Sequence, residues 1–211
     1  FDVNIVGKIE AFKVMFGEGD GLMQSNDMAG AAAVYQELLA DGELVGLVGT
    51  PEGIHHQLSG QIMQLKLNYC NILMNAPGQE LFAIDILEKL VLEMVASGTP
   101  IQAVTAVRKM LREGCLKFQH YERAIGSYTE EYEHLKAQGQ ELTGPCIMAV
   151  NNRAMVYCSF VKDFDRGADD HHTVLRLLVE FQGKEHPQTM QSVEATVKLF
   201  ADAGIEFTPF P

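Results

Sequence analysis

The chain has 211 residues, 47% of them apolar, and a formal net charge of -12 at pH 7. It is long enough to bury a substantial core. The acidic balance argues against nucleic-acid binding, because neutralising phosphates requires clustered lysine and arginine. The small basic cluster of Arg108, Lys109 and Arg112 is expected to be an exposed helical face. No apolar run reaches the roughly 18 residues that a spanning helix needs, so membrane insertion is not predicted.

The four cysteines lie within helical patterns and form no Cys-x-x-Cys pair; they are Cys70, Cys115, Cys146 and Cys158. This usage predicts buried, reduced thiols and an intracellular, cytoplasmic protein. Because the sequence opens with Phe1 rather than methionine, the chain is expected to be an excised or processed piece.

Apolar residues recur at steps of three and four over residues 1–16, which predicts an amphipathic helix. Residues 17–27 are rich in glycine and acids and are predicted to form a loop. A second helix is predicted over residues 28–40, with Asn26 or Asp27 as its cap.

Residues 41–53 are also rich in glycine but match neither the Gly-x-x-x-x-Gly-Lys-Ser/Thr nor the Gly-x-Gly-x-x-Gly phosphate-binding pattern. This stretch is interpreted as a loop inserted between helical pairs. Further helices are predicted over residues 55–76, 81–96, 101–118, 121–138 and 188–203. No stretch shows the alternation of a strand, so the predicted fold class is all-α. Gly204 precedes a tail that is expected to fray.

The most informative stretch, residues 149–187, contains two apolar helical runs joined by a polar turn. The first run carries Asn151 and Asn152, then Ala154, then Tyr157, and the second ends in Gly-Lys-Glu-His-Pro. This spacing resembles the long tetratricopeptide repeat of the kinesin-light-chain type. That repeat has a leucine-Asn-Asn-leucine-Ala opening, a tyrosine three residues after the alanine, and a Gly-x-x-His-Pro end.

The same unit departs from that repeat at three positions. Arg153 stands where a leucine is usual, Gly167 replaces an alanine, and Asp170 occupies an apolar position. An irregular helical bundle with coincidental spacing is therefore the alternative interpretation of the fold.

In each predicted pair, the second helix begins with a small residue that is followed four positions later by a large one. The pairs are Ala31 with Tyr35, Ala83 with Leu87, Ala124 with Tyr128, and Gly167 with His171. A small residue lets two helices approach closely, and stacked helical pairs bury a core that one pair cannot bury alone. The resemblance implies a right-handed α-solenoid of stacked antiparallel helix pairs forming one domain over residues 1–204. Its pairs are expected over 1–42, 54–97, 101–139 and 146–184, with a capping helix over 188–204 and a tail over 205–211.

The implied function is a non-enzymatic adaptor or scaffold that binds a peptide or partner helix in a concave groove, without a cofactor. Aligned on the small position, Asn68, Lys109 and Asn151 occupy one equivalent site. The predicted partner-binding residues are Asn68, Asn75, Lys109, Glu113, Asn151 and Asn152. The asparagine side chain offers both a hydrogen-bond donor and an acceptor, which suits binding to the backbone of an extended peptide. A protein or peptide partner is expected, and homo-oligomerisation is left open.

Three alternatives remain open from the sequence. The six polar residues are equally explained as exposed helix surface or as hydrogen bonds between repeats. The chain also resembles the C-terminal helical part of a larger enzyme, such as a SET-domain methyltransferase. Finally, Asp165, Asp169 and His172 share a helix face and suggest a small metal-binding protein or enzyme. No catalytic motif is present.

Overall fold

The computed structural model describes the backbone of residues 3–42 and 54–210. The predicted insertion at 41–53 lies largely outside these residues. The chain forms two compact units, unit 1 (Phe1–Gly114) and unit 2 (Cys115–Pro211).

Unit 1 is built from helices that pack in chain order. They are α1 (Val3–Gln24), α2 (Met28–Ala40), α3 (Ile54–Leu73), α4 (Glu80–Ala96) and α5 (Ile101–Lys117), the last of which runs on into unit 2. Helix α1 packs against α2, α2 against α3, and α3 against α4.

Unit 2 repeats this serial arrangement. Its elements are α6 (Tyr121–Ala137), α7 (Gly144–Val156), a π-helix (Tyr157–Val161), α8 (Phe164–Gln182) and α9 (Pro187–Asp202). Helix α6 packs against α7, α7 against α8, and α8 against α9.

Within residues 3–42 and 54–210 there is no β-strand, so the prediction of an all-α fold is confirmed. Serial packing of neighbouring helices is the arrangement predicted from the tetratricopeptide-like spacing. The small and large positions of the repeat are buried; they are Ala31, Tyr35, Ala83, Leu87, Ala124, Tyr128, Gly167 and His171. In the same described stretches, no helix has the length and apolarity needed to cross a membrane.

Helix α1 is longer than predicted, because the glycine-rich stretch from residue 17 continues it to Gln24. The predicted loop is therefore wrong over most of its length. Gly19 faces the ring of Tyr35 on α2, and a Cβ at this position would collide with that ring. Glycine here permits close helix packing rather than a break. The predicted cap is confirmed, since the Gly30 amide donates to Asp27 Oδ1 at 2.9 Å.

The basic cluster on α5 is not the exposed face that was expected. Arg108 and Arg112 are only 2% and 7% exposed. They lie at helical spacing from Val104 and Leu111, which are also buried, so all four side chains belong to one side of the helix. Lys109 alone of the cluster is exposed.

The segment after α9 is ordered against unit 2, so the expectation of a frayed tail is wrong. The Ile205 amide donates to the Phe200 carbonyl at 3.0 Å. The Phe207 ring stacks on the rings of His172 and Phe200, with centroids 4.6 and 4.7 Å away. Aromatic burial outweighs the usual loss of order near a chain end.

Candidate interaction surfaces

Asn68 belongs to a polar cluster that joins three helices of unit 1. The Tyr35 hydroxyl donates to Asp20 Oδ1 at 2.5 Å, and Asn68 Nδ2 donates to the same oxygen at 3.0 Å. Gln64 Nε2 donates to Asn68 Oδ1 at 2.8 Å. Both ends of the half-buried Asn68 amide are therefore engaged, and a ligand would have to exchange one of these bonds.

Tyr35 is the buried centre of this cluster, with no exposed surface. Burial, and then its hydrogen bond to Asp20, raises the pKa of Tyr35 to about 12. The phenol therefore stays protonated at neutral pH and remains a donor to Asp20.

The other predicted residues of unit 1 are exposed to solvent. Asn75 lies just beyond α3 and donates to the Asn71 carbonyl at 2.8 Å. Lys109 Nζ lies 3.8 Å from the Glu113 carboxylate, one turn along α5. Since both side chains are well exposed, this ion pair is weak and leaves their charges accessible.

The exposed side of α7 in unit 2 carries the asparagine pair between two methionines. Met148 and Met155 are 62% and 39% exposed, whereas Asn151 and Asn152 are half-buried. Met148, Asn152 and Met155 lie four and three residues apart and form one stripe, with Asn151 beside it. Neither asparagine side chain has a hydrogen-bond partner in the described part of the chain. We call these four residues the Asn–Met face.

The opposite side of α7 anchors this face in the core of unit 2. Its buried residues are Cys146, Ile147, Ala149, Val150, Ala154 and Val156. Pro145 stands in the first turn, where its missing amide hydrogen costs no intrahelical bond. A helix held along its whole buried side fixes the backbone positions from which its outer side chains extend.

Two departures from the repeat pattern, Arg153 and Asp170, are partners of each other. Arg153 Nε and Nη2 donate to the two Asp170 carboxylate oxygens at 2.7 and 2.6 Å. Arg153 Nη1 also donates to Thr129 Oγ1 at 2.8 Å. The hydrogen bonds to Asp170 raise the pKa of Arg153 further. This charged pair ties α6, α7 and α8 together on the buried side of α7.

The third departure, Gly167, reflects a close contact with the π-helix. A Cβ on Gly167 would collide with Cys158 Sγ. The π-helix ends at Val161, and the next residue, Lys162, has a left-handed φ of 63°. An alanine at this small position would therefore push α8 away from Cys158.

All four cysteines are buried and unpaired by disulfides, which confirms the predicted burial. Burial raises the pKa of Cys70 to about 12 and that of Cys146 to about 11. It also raises the pKa of Cys158. These thiols stay protonated at neutral pH and lack the thiolate character of a nucleophile.

The suggested metal ligands on α8 are not arranged as a metal site. Asp165 and Asp169 are exposed, and His172 Nε2 lies 2.9 Å from the Thr208 carbonyl oxygen. Among the residues that the structure describes, no three His, Cys, Asp or Glu side chains are placed to hold a metal ion. The geometry gives the metal-binding alternative no support.

No protein-family model matches the chain, and no curated protein matches it. Among solved structures, it is similar to BtubC (BKLC) from P. vanneervenii, at 18% sequence identity and a TM-score of 0.46. The similarity covers 93% of this chain and 73% of that one. At this level it assigns neither a function nor a residue role.

The repeat pattern in the sequence points to the asparagine pair but not to the residues around it. Met148 and Met155 bracket the pair at a spacing of seven residues, which is a visible signal for a shared helix face. Opposite charges at two normally apolar positions, Arg153 and Asp170, were likewise a signal for a buried ion pair.

Proposed function

We propose that the chain is a non-enzymatic interaction module whose Asn–Met face binds an extended peptide segment of a protein partner. The observation that supports this function is that the side-chain amides of Asn151 and Asn152 lack hydrogen-bond partners in the described chain. Both amides lie on an exposed helix side, between two exposed methionines.

The chemistry of this face matches a peptide ligand. Each asparagine amide can donate to a backbone carbonyl and accept from a backbone N–H. Met148 and Met155 add flexible, polarisable apolar surface that adapts to different side chains. Affinity would come from backbone hydrogen bonds, and selectivity from the apolar residues that rest on the methionines.

Arg153 and Asp170 support the face without touching the ligand. Their bidentate contact fixes α7 against α8, and the bond to Thr129 fixes it against α6. A rigid helix lowers the entropy cost of binding, because its backbone need not be ordered when the peptide arrives.

In unit 1, we propose that Asn68, Asn75, Lys109 and Glu113 contribute to partner binding as well. Asn75 and the Lys109–Glu113 pair are exposed and can meet a polar or charged segment. Asn68 would bind by exchanging its bond to Asp20 for one to the partner. The substitution Asn68→Ala tests this role separately from that of the Asn–Met face.

The test is selection of peptides from a displayed library of extended sequences against the immobilised chain, followed by titration of a selected peptide. Replacing both residues, Asn151→Ala with Asn152→Ala, should weaken binding about 30-fold, since two hydrogen bonds contribute about 1 kcal/mol each. The matched control is Gln140→Ala, which removes an exposed amide from the turn before α7.

Peptides that bind the double variant as tightly as the wild-type chain would remove the Asn–Met face from consideration. A library from which no peptide binds the folded wild-type chain would argue against peptide recognition as a whole. Thermal unfolding of each variant shows that the fold is retained.

A further inference from the structure

We propose that unit 2 has a second peptide site, independent of the Asn–Met face, which its own residues 205–210 occupy. The site, here called the aromatic slot, is formed by His172 on α8, Phe200 on α9 and Lys184 in the turn between them. The ligand class that it fits is an extended peptide with two phenylalanines three residues apart and a proline between them.

The centre of the slot is a stack of three rings. The Phe207 ring lies 4.6 Å from the His172 ring at an interplanar angle of 18°. The centroids of the Phe207 and Phe200 rings are 4.7 Å apart, and the interplanar angle is 30°. Phe207 is therefore held by rings from two different helices, as a side chain in a binding pocket is held.

A backbone contact fixes the direction of the bound segment. His172 Nε2 lies 2.9 Å from the Thr208 carbonyl oxygen, which requires the tautomer with a proton on Nε2. This bond recognises main chain rather than a particular side chain, so it is open to any extended peptide.

A second ring completes the recognition pattern. Lys184 Nζ lies 4.6 Å from the centroid of the Phe210 ring, which is a cation–π distance. The segment therefore runs from the middle of α8 toward the end of that helix. Phe207 and Phe210 bracket Pro209, and residues three apart share one side of a polyproline II segment.

The segment is held by side-chain contacts and single hydrogen bonds rather than by the backbone pairing of a helix or strand, which allows another peptide to replace it. Residues 205–210 have no regular secondary structure, and Ile205 and Phe210 each remain 38% exposed. The intramolecular occupant is favoured mainly because its attachment gives a high effective concentration, about millimolar for a short link. A separate peptide with the same pattern can bind the slot when residues 205–210 no longer compete for it.

The test uses the full chain with Phe207→Ala and Phe210→Ala, which empties the slot. A labelled peptide with the sequence of residues 204–210, GIEFTPF, should bind this variant at least about tenfold more tightly than the wild-type chain, whose own segment competes. In nuclear magnetic resonance spectra, the His172 ring signals should move when Phe207 is replaced. They should return toward their wild-type positions when the peptide is added.

Three controls keep the result specific to the slot. The same peptide with both phenylalanines replaced by alanine should not bind, and His172→Ala in the emptied chain should abolish binding. Replacing Asn151 and Asn152 by alanine should leave binding of the GIEFTPF peptide to the emptied chain unaltered, which separates the aromatic slot from the Asn–Met face. Circular dichroism checks that each variant is folded, and Phe207→Ala alone replaces the double variant if that one unfolds.

Failure of the peptide to bind the folded, emptied chain would overturn the proposal. Equal binding to the emptied and the wild-type chain would overturn it as well, because the segment would then not be occupying the same site.

Discussion

At the scale of single residues, Arg153 and Asp170 show how a charged pair can stand where the repeat has apolar side chains. Their side chains are 16% and 10% exposed, so each charge depends on the other for compensation. Such a pair adds little stability compared with apolar residues of similar size, yet removing one member is costly.

Arg153→Leu should therefore destabilise the chain by about 3 kcal/mol, because Asp170 is left as an uncompensated buried charge. Replacing both residues by leucine should recover most of that loss. Urea unfolding of the two single variants and the double variant gives the coupling free energy. Additive single effects would contradict a direct partnership.

His171 is a second buried polar residue in unit 2. It is 2% exposed, and its Nε2 has no hydrogen-bond partner in the described chain. Its Nδ1 lies 3.4 Å from Thr196 Oγ1, and its ring packs edge-on against Phe200. Burial lowers the pKa of His171 from 6.5 to about 4, against a smaller opposing effect of Asp170.

This shift makes stability depend on pH in a defined direction. The unfolded chain binds the proton at pH 6.5 and the folded chain only near pH 4, so stability is complete above 6.5 and lost as the pH falls toward 4. Between pH 7 and pH 5 the loss from His171 alone should be about 2 kcal/mol.

His171→Leu should flatten that dependence, which urea unfolding at several pH values would measure. The ionisable groups that act on His171 are its neighbours Asp170 and His172. The comparison is made at pH 5 and above, where ordinary carboxylates stay ionised. An equally steep loss in the variant would assign the effect to another group.

At the scale of elements, glycines in α1 have two different roles. Gly19 is buried against the Tyr35 ring, whereas nothing lies close to a Cβ built at Gly17 or Gly21. Only the first is required by packing; the others merely weaken the helix.

Gly19→Ala should destabilise the chain by about 1–2 kcal/mol, because the added methyl group overpacks the contact with Tyr35. Gly17→Ala, two residues earlier in the same helix, should stabilise it by about 0.5–1 kcal/mol through helix propensity alone. Thermal unfolding of the matched pair measures both changes. The same sign for both would refute the close contact.

Sequence periodicity predicted most helices well, because each depends on local spacing of apolar residues. Helices α4, α6 and α9 begin and end within one residue of their predicted limits. The failures have a common cause: they depend on partners distant in sequence. The contact of Gly19 with Tyr35 prolongs α1, and that of Phe207 with His172 orders the final segment.

The candidate site was predicted only in part for the same reason. Asn151 and Asn152 were found from their place in the repeat pattern, which is local. That Asn68 is engaged by Asp20, 48 residues away, is not visible in a single sequence. Exposure of Met148 and Met155 likewise depends on how α7 packs against its neighbours.

At the scale of the whole molecule, the charge of -12 and the pairing of basic residues have one consequence for partners. Many cations are paired with carboxylates: Lys13 with Glu10, Lys66 with Glu93, Arg153 with Asp170, Arg166 with Asp163, and Arg176 with Glu180. The neighbouring carboxylates lower the positive potential that a phosphate backbone would meet at these cations.

The chain should therefore show no binding to a labelled DNA duplex or single-stranded RNA up to about 10 μM protein at physiological salt. Fluorescence anisotropy is a suitable measurement, and a basic nucleic-acid-binding domain serves as the positive control. Binding that weakens steeply with added salt would contradict this prediction.

The link between Arg153 and Asp170 also constrains how this protein can evolve. A lineage that loses either residue by one mutation passes through an unstable form, so selection should keep the two together or replace them together. Comparison of descendant sequences should show both charges or two apolar residues at these positions, and seldom a mixture.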